Sequence, residues 1–132
     1  MTTIITRFHD AMLHKSADEL ADLYAEDGVH EFPFRTPGMV ERYNGREEIR
    51  AGYKASWGAT PASVEEIRNV VIHQSTDPEV IVVEHETAVT VYGQPYTVPG
   101  LLVLRVRDGK IVHTRDYMDA TAVASLRSGR TG

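Results

Sequence analysis

The sequence predicts an α+β domain in which N-terminal helices cover one face of a curved antiparallel sheet. Three observations lead there. Apolar residues recur at helical spacing as far as Thr60, they recur at period two from Val64 onward, and Asp108-Gly109 separates two β-rich runs as a hairpin turn. The chain of 132 residues fits one domain over 1–132, large enough for a real core and too short for a separate cofactor domain.

In the first helix Ile4, Ile5, Phe8, Ala11 and Met12 share a face. Ser16 and Glu19 form a capping box for a second helix, whose buried face is Leu20, Leu23 and Tyr24 and which Gly28 ends. From Val29 to Phe34 the pattern turns extended, and Pro33, Pro37 and Gly38 forbid a helix. A third helix starts near Asn44, with Glu47 three residues on, turns Ile49, Tyr53 and Trp57 inward and stops at Gly58. Strands follow over Val64–His73, Val80–Tyr92, Tyr96–Arg107 and Lys110–Asp119, rich in Val, Ile, Thr and Tyr. A short helix over Ala120–Leu126 closes the end.

Period two sorts the strand residues by face. Ile81, Val83, His85, Thr87, Val89 and Val91 share one side of their strand, apolar except for His85 and Thr87. In the last strand Val112, Thr114, Asp116 and Met118 oppose Ile111, His113, Arg115 and Tyr117. His30, Phe32 and Phe34 alternate onto one side of the earlier segment.

Composition narrows the function. Nineteen acidic residues against fourteen scattered basic ones give a net charge of -5, which argues against a phosphate-tracking surface, so no nucleic-acid partner is expected. Without cysteine there is no disulfide, thiol nucleophile or thiolate metal site. The uncharged run Thr87–Leu104 is broken by Gly93, Pro95, Pro99 and Gly100 and reads as a hairpin, so no membrane span is expected. No basic-then-apolar leader is visible, and the expected compartment is the cytoplasm. No nucleotide-binding, zinc-protease or nucleophile-elbow motif occurs. His30-Glu31 and His85-Glu86 are adjacent in strands and point to opposite faces, so neither pair chelates an ion; no metal and no cofactor are expected.

His85 and Asp116 stand out as ionisable groups on the less polar faces of their strands, where burial disfavours the charged form unless they pair; such groups are candidate general acids or bases. The competing interpretation has Asp116 bridged to Arg105 or Arg115 and His85 bonded to a backbone carbonyl. Tyr53 and Trp57 are either core packing or the wall of a ligand cavity, to which they bring a hydroxyl and an indole N–H. His30, Phe32 and Phe34 supply a second aromatic wall. His9, His14, His73 and His113 offer no partner that the sequence identifies.

Several strings then fit a known pattern: Leu23-Tyr24-Ala25-Glu26-Asp27-Gly28, Glu31-Phe32-Pro33-Phe34, Asn44-Gly45-Arg46-Glu47-Glu48-Ile49-Arg50, Val103-Leu104-Arg105-Val106-Arg107-Asp108-Gly109-Lys110-Ile111 and Arg115-Asp116-Tyr117-Met118-Asp119. Over nearly its whole length the chain resembles the SnoaL-like branch of the nuclear-transport-factor-two-like superfamily, which also holds ketosteroid isomerase and limonene epoxide hydrolase. The resemblance implies a cone-shaped sheet around the helices, a homodimer through the outer sheet face, and cofactor-independent chemistry on a small apolar substrate. It implies Asp116 as acid/base, since the last-strand aspartate of SnoaL-type polyketide cyclases matches it; the cyclase's nearby histidine matches Leu102. The ketosteroid isomerase base, oxyanion tyrosine and protonated aspartate match Phe32, Phe8 and Leu102, whereas Tyr53 matches a supporting tyrosine. The resulting expectation is catalysis by Asp116 and His85, with His30, Phe32, Phe34, Tyr53, Trp57, Thr87, Leu102 and Met118 around the ligand. The alternative is a non-catalytic binder of a small apolar ligand.

Overall fold

The computed structural model describes residues 2–35, 37–119 and 121–123. Three helices, α1 (Thr2–His14), α2 (Ala17–Ala21) and α3 (Arg46–Ala59), accompany six strands: β1 (Tyr24–Glu31), β2 (Arg42–Asn44), β3 (Ser63–Gln74), β4 (Val80–Val91), β5 (Gln94–Arg107) and β6 (Lys110–Met118). The strands form one curved, unclosed sheet in the order β2-β1-β6-β5-β4-β3, and the expected cone-like α+β architecture is the one observed. Every pairing is antiparallel except that of β1 with β6.

The amphipathic stripe of α1 explains the packing. Ile4, Ile5, Phe8 and Ala11 are buried in one cluster with Leu20, Ile49, Val83, Leu104 and Ile111, so the apolar helix faces and the inner sheet face make a single core. Burying a side chain of this size is worth about 1.5 to 3 kcal/mol. In β4 the alternation is as expected, with Ile81, Val83, His85, Thr87, Val89 and Val91 all buried.

Three expectations change. The second helix is only five residues long: Ser16 Oγ accepts the Glu19 amide proton as expected, but Tyr24 opens a strand instead of completing a helix face. Pairing with β6 overrides the local helical pattern, and Gly28 permits it, because a Cβ there would lie 3.0 Å from Ile111 O and 3.0 Å from Tyr24 Cδ2. At α3 the N-cap is Gly45 at φ 97, and it is Glu48, not Glu47, that reaches back to accept the Asn44 amide proton. In β6 the pairs run Leu102↔Asp116 and Leu104↔Thr114 but then Val106↔Ile111, so Val112 is bulged. Paired residues share a face, so Ile111 lies on the same inner face as Asp116, opposite to the side that strict alternation assigns it. The helix expected over Ala120–Leu126 is helical at residues 121–123 and otherwise lies outside the described residues. Among the described residues no helix is long and apolar enough to cross a membrane.

Candidate active site

Between the helices and the inner sheet face lies a cavity of about 790 Å³, a size suited to a small organic ligand. Phe8 and Met12 of α1, Tyr53 and Trp57 of α3, Phe32, and the sheet residues His85, Thr87, Leu102, Asp116 and Met118 line it. Most of these side chains are apolar; His85, Asp116 and the Tyr53 hydroxyl are the titratable exceptions, and Lys15 also borders the cavity, its Nζ donating to the Thr60 and Ala62 carbonyls.

Sheet register sets their positions. Val83, Leu102 and Asp116 pair across β4, β5 and β6 as one inner row, and His85, Gly100 and Met118 form the next. Asp116 therefore projects inward from β6 with its side chain 18% exposed. Behind it stands His30, fully buried, whose Nε2 lies 3.1 Å from Asp116 Oδ2 and 2.9 Å from Tyr53 Oη. Tyr53 Oη is also 3.4 Å from Oδ2. On the far side of the ring Nδ1 lies 2.6 Å from Tyr24 Oη, which donates to Thr114 Oγ1 at 2.8 Å. An imidazole nitrogen and a carboxyl oxygen are both acceptors unless one is protonated, so the His30–Asp116 hydrogen bond holds one proton between them. The two tyrosines stay phenolic: burial, reinforced by the Asp116 charge, pushes Tyr53 well above the ordinary tyrosine range, and burial also raises Tyr24.

His85 and Asp116 share the cavity but are not hydrogen-bonded to each other. The Asp116 charge reaches His85 only as a weak opposition to burial, which lowers the imidazole. The competing interpretation also fails: Arg105 binds Asp77 and Glu79, Arg115 binds Glu31, and His85 Nδ1 meets His9 Nε2 at 3.1 Å instead of a backbone carbonyl. His30 does not line the cavity; it is hydrogen-bonded to Asp116 and Tyr53 and packed against Phe32, which do. Phe34 does not line it at all; β1 ends at Glu31, ahead of Pro33, so alternation stops and the ring lies 64% exposed against Tyr117. Of the other histidines, His14 pairs with Glu19, His73 with Glu84 and His113 with Glu31. Among the described residues no three His, Asp or Glu side chains converge as a metal site.

Sequence reasoning missed Tyr24 and His9; Thr114, set on the inward face with Asp116, is fully buried and accepts from Tyr24 behind the aspartate instead of lining the cavity. Inward alternation placed His30 and Asp116 on one face, but only the β1–β6 pairing, His30↔Thr114, makes them neighbours.

The model of the SnoaL-like domain family matches residues 5–114. The chain belongs to the SnoaL-like family. An uncharacterised PhzA/B-like protein of Pseudomonas aeruginosa is 31% identical over 102 residues, spanning 73% of this chain and 67% of the relative. A crystal structure from Bacillus subtilis, provisionally named an isomerase, superposes with a TM-score of 0.87 at 25% identity, covering 97% of this chain and 92% of that one. A provisionally named polyketide cyclase from Xanthomonas campestris pv. campestris has the same fold, with a TM-score of 0.73 at 18% identity over 95% and 94% of the two chains. In this SnoaL-like domain the cavity and its carboxylate are therefore built on the architecture shared by these proteins.

Proposed function

We propose that the protein is a cofactor-independent acid/base enzyme, of the cyclase or isomerase type, acting on a small hydrophobic carbonyl compound. The observation that carries this is Asp116: a carboxyl group facing an apolar cavity, with His30 and Tyr53 behind it to hold a shared proton. With that proton on His30, Asp116 is a carboxylate. It takes the proton from an acidic C–H next to the carbonyl, and the C–H electron pair becomes an enolate. The enolate then takes that proton back from Asp116 at another carbon of the conjugated system, or its carbon adds to a second carbonyl carbon of the same molecule, closing a ring as that C=O π pair moves onto oxygen, which takes the proton from Asp116. Neither course needs an oxidant or reductant.

The test is deuterium exchange into a panel of cyclic ketones and β-diketones in D₂O, followed by NMR. Wild type accelerates exchange of at least one member, and Asp116→Asn, which keeps shape but cannot take a proton, lowers that rate by roughly 10²-fold or more at unchanged affinity. A wild type that binds panel members without exchanging them is instead a binding protein. An Asp116→Asn variant that exchanges as fast per folded molecule as wild type ends the catalytic reading.

The same proposal includes a homodimer through the outer sheet face. Val82 pairs with Val103 there and Leu101 with Tyr117, each half-buried, in rows flanked by Glu84, Glu86 and Arg115. Ile111, expected on this face, lies instead in the core.

A further inference from the structure

We infer that His9 is a positioning residue that fixes His85 as a hydrogen-bond donor over Gly100, so that the cavity selects ligands presenting a carbonyl oxygen to His85. This rests on reading the cavity as a ligand site and adds a second polar pole, opposite Asp116, to it.

The two rings meet edge to face at 75°, with centroids 5.0 Å apart and His9 Nε2 3.1 Å from His85 Nδ1. Both are neutral at pH 7. Burial takes His9 down to about 4, helped by neighbouring His85 and opposed by Asp10, and burial also lowers His85 against the pull of Asp116. Two neutral imidazoles can make this contact in two ways. If His9 donates, both rings carry their proton on Nε2, the tautomer that a free histidine side chain favours in water. If His85 donates, both must adopt the less stable Nδ1–H form. The first arrangement leaves His85 with an Nε2–H group.

Where that group points is set by glycine. Gly100 lies directly across from His85 on β5, and a Cβ there would come 2.8 Å from His85 Nε2 and 3.2 Å from its Cδ2. The imidazole thus lies over the bare backbone of β5 with Nε2 its nearest atom to Gly100, and among the described residues no side chain is hydrogen-bonded to that nitrogen. Asp116 stands two strands across and one inner row along, roughly 10 Å away measured between strand axes. Between an N–H donor at one pole and a proton acceptor at the other, with aromatic walls around them, fits a small apolar molecule whose carbonyl oxygen meets His85 and whose acidic C–H faces Asp116. A hydrocarbon of the same shape leaves the donor unpaired and binds worse.

The experiment reads the tautomer directly. In ¹⁵N-histidine NMR, with the His85 signals assigned by their loss in His85→Phe, wild type shows a protonated Nε2 and a bare Nδ1 at pH 7. His9→Leu removes the donor and moves His85 toward a tautomer mixture, while His9→Gln, whose amide N–H can replace the imidazole donor, restores the wild-type pattern. The binding probes are acetophenone and its near-isostere ethylbenzene: wild type prefers the ketone by roughly tenfold, the preference falls in His9→Leu in proportion to the Nε2–H fraction lost, and His9→Gln recovers it. An Nδ1-protonated His85 in wild type, no ketone preference in wild type, or a His9→Leu variant indistinguishable from wild type overturns the inference. If His9→Leu does not fold, the wild-type spectrum and His9→Gln still decide it. A failure of Asp116→Asn to affect exchange, with the His85 pattern intact, rejects the acid/base chemistry and leaves this inference standing.

Discussion

His9 and His85 sit in contact inside the protein, and the sign of their effect on stability follows from burial. Unfolded, a histidine titrates near 6.5, whereas folded His9 is held down to about 4. Between these values the unfolded chain binds a proton that the folded protein refuses, so stability is full above pH 6.5 and falls as the pH drops toward 4. The shift corresponds to a loss of about 2 kcal/mol between pH 7 and pH 5. Urea denaturation at both pH values is expected to show a smaller loss for His9→Gln than for wild type; equal losses would remove the buried histidine as the cause. At this scale the sequence was legible where period two ruled: His85, Thr87, Leu102, Asp116 and Met118 all line the cavity, as do Tyr53 and Trp57 from their helix. Hydrogen bonds were not legible. Asp116 finds His30 across eighty-six positions and His85 finds His9 across seventy-six, and no local pattern signals contacts at that separation.

Among the elements, α2 shows most directly how local and distant forces divide the chain. Its start is local: the Ser16 hydroxyl accepts the Glu19 amide proton at 3.1 Å, and Ser16→Ala is expected to cost about 1 kcal/mol, measured as a lowered urea midpoint with an unchanged slope. Its end is not. Leu23 and Tyr24 continue the helical spacing, yet Tyr24 pairs with Ile111, and its hydroxyl completes the network behind His30. The same division explains β6. The sequence shows a strand from Lys110, but the Val112 bulge appears only against β5, and without it Asp116 could not share the inner face with Ile111. Phe34 fails for a simpler reason: alternation holds only while a strand lasts, and β1 stops before Pro33.

For the whole molecule, the outer sheet face carries the remaining prediction. Light scattering at micromolar concentration is expected to give twice the chain mass of 14.7 kDa, and Leu101→Arg, which places a charge in the middle of the half-buried outer row, is expected to return the monomer mass. A monomeric wild type would refute the dimer. The order was readable from α3 onward because each hairpin joins strands adjacent in sequence, from β3 to β6, whereas β2 ahead of α3 was not. The parallel union of β1 with β6 was not, since it joins opposite ends of the chain, and it bears on how the molecule acquires its site. The meander from β3 to β6 can zip up through short loops, whereas β1 must close a loop across most of the chain before it finds an edge to bind, and such distant pairings form slowly. His30 rides on β1 and Asp116 on β6. A folding chain can therefore possess nearly all of its sheet and still lack the His30–Asp116 contact, which is created in the step that seats β1.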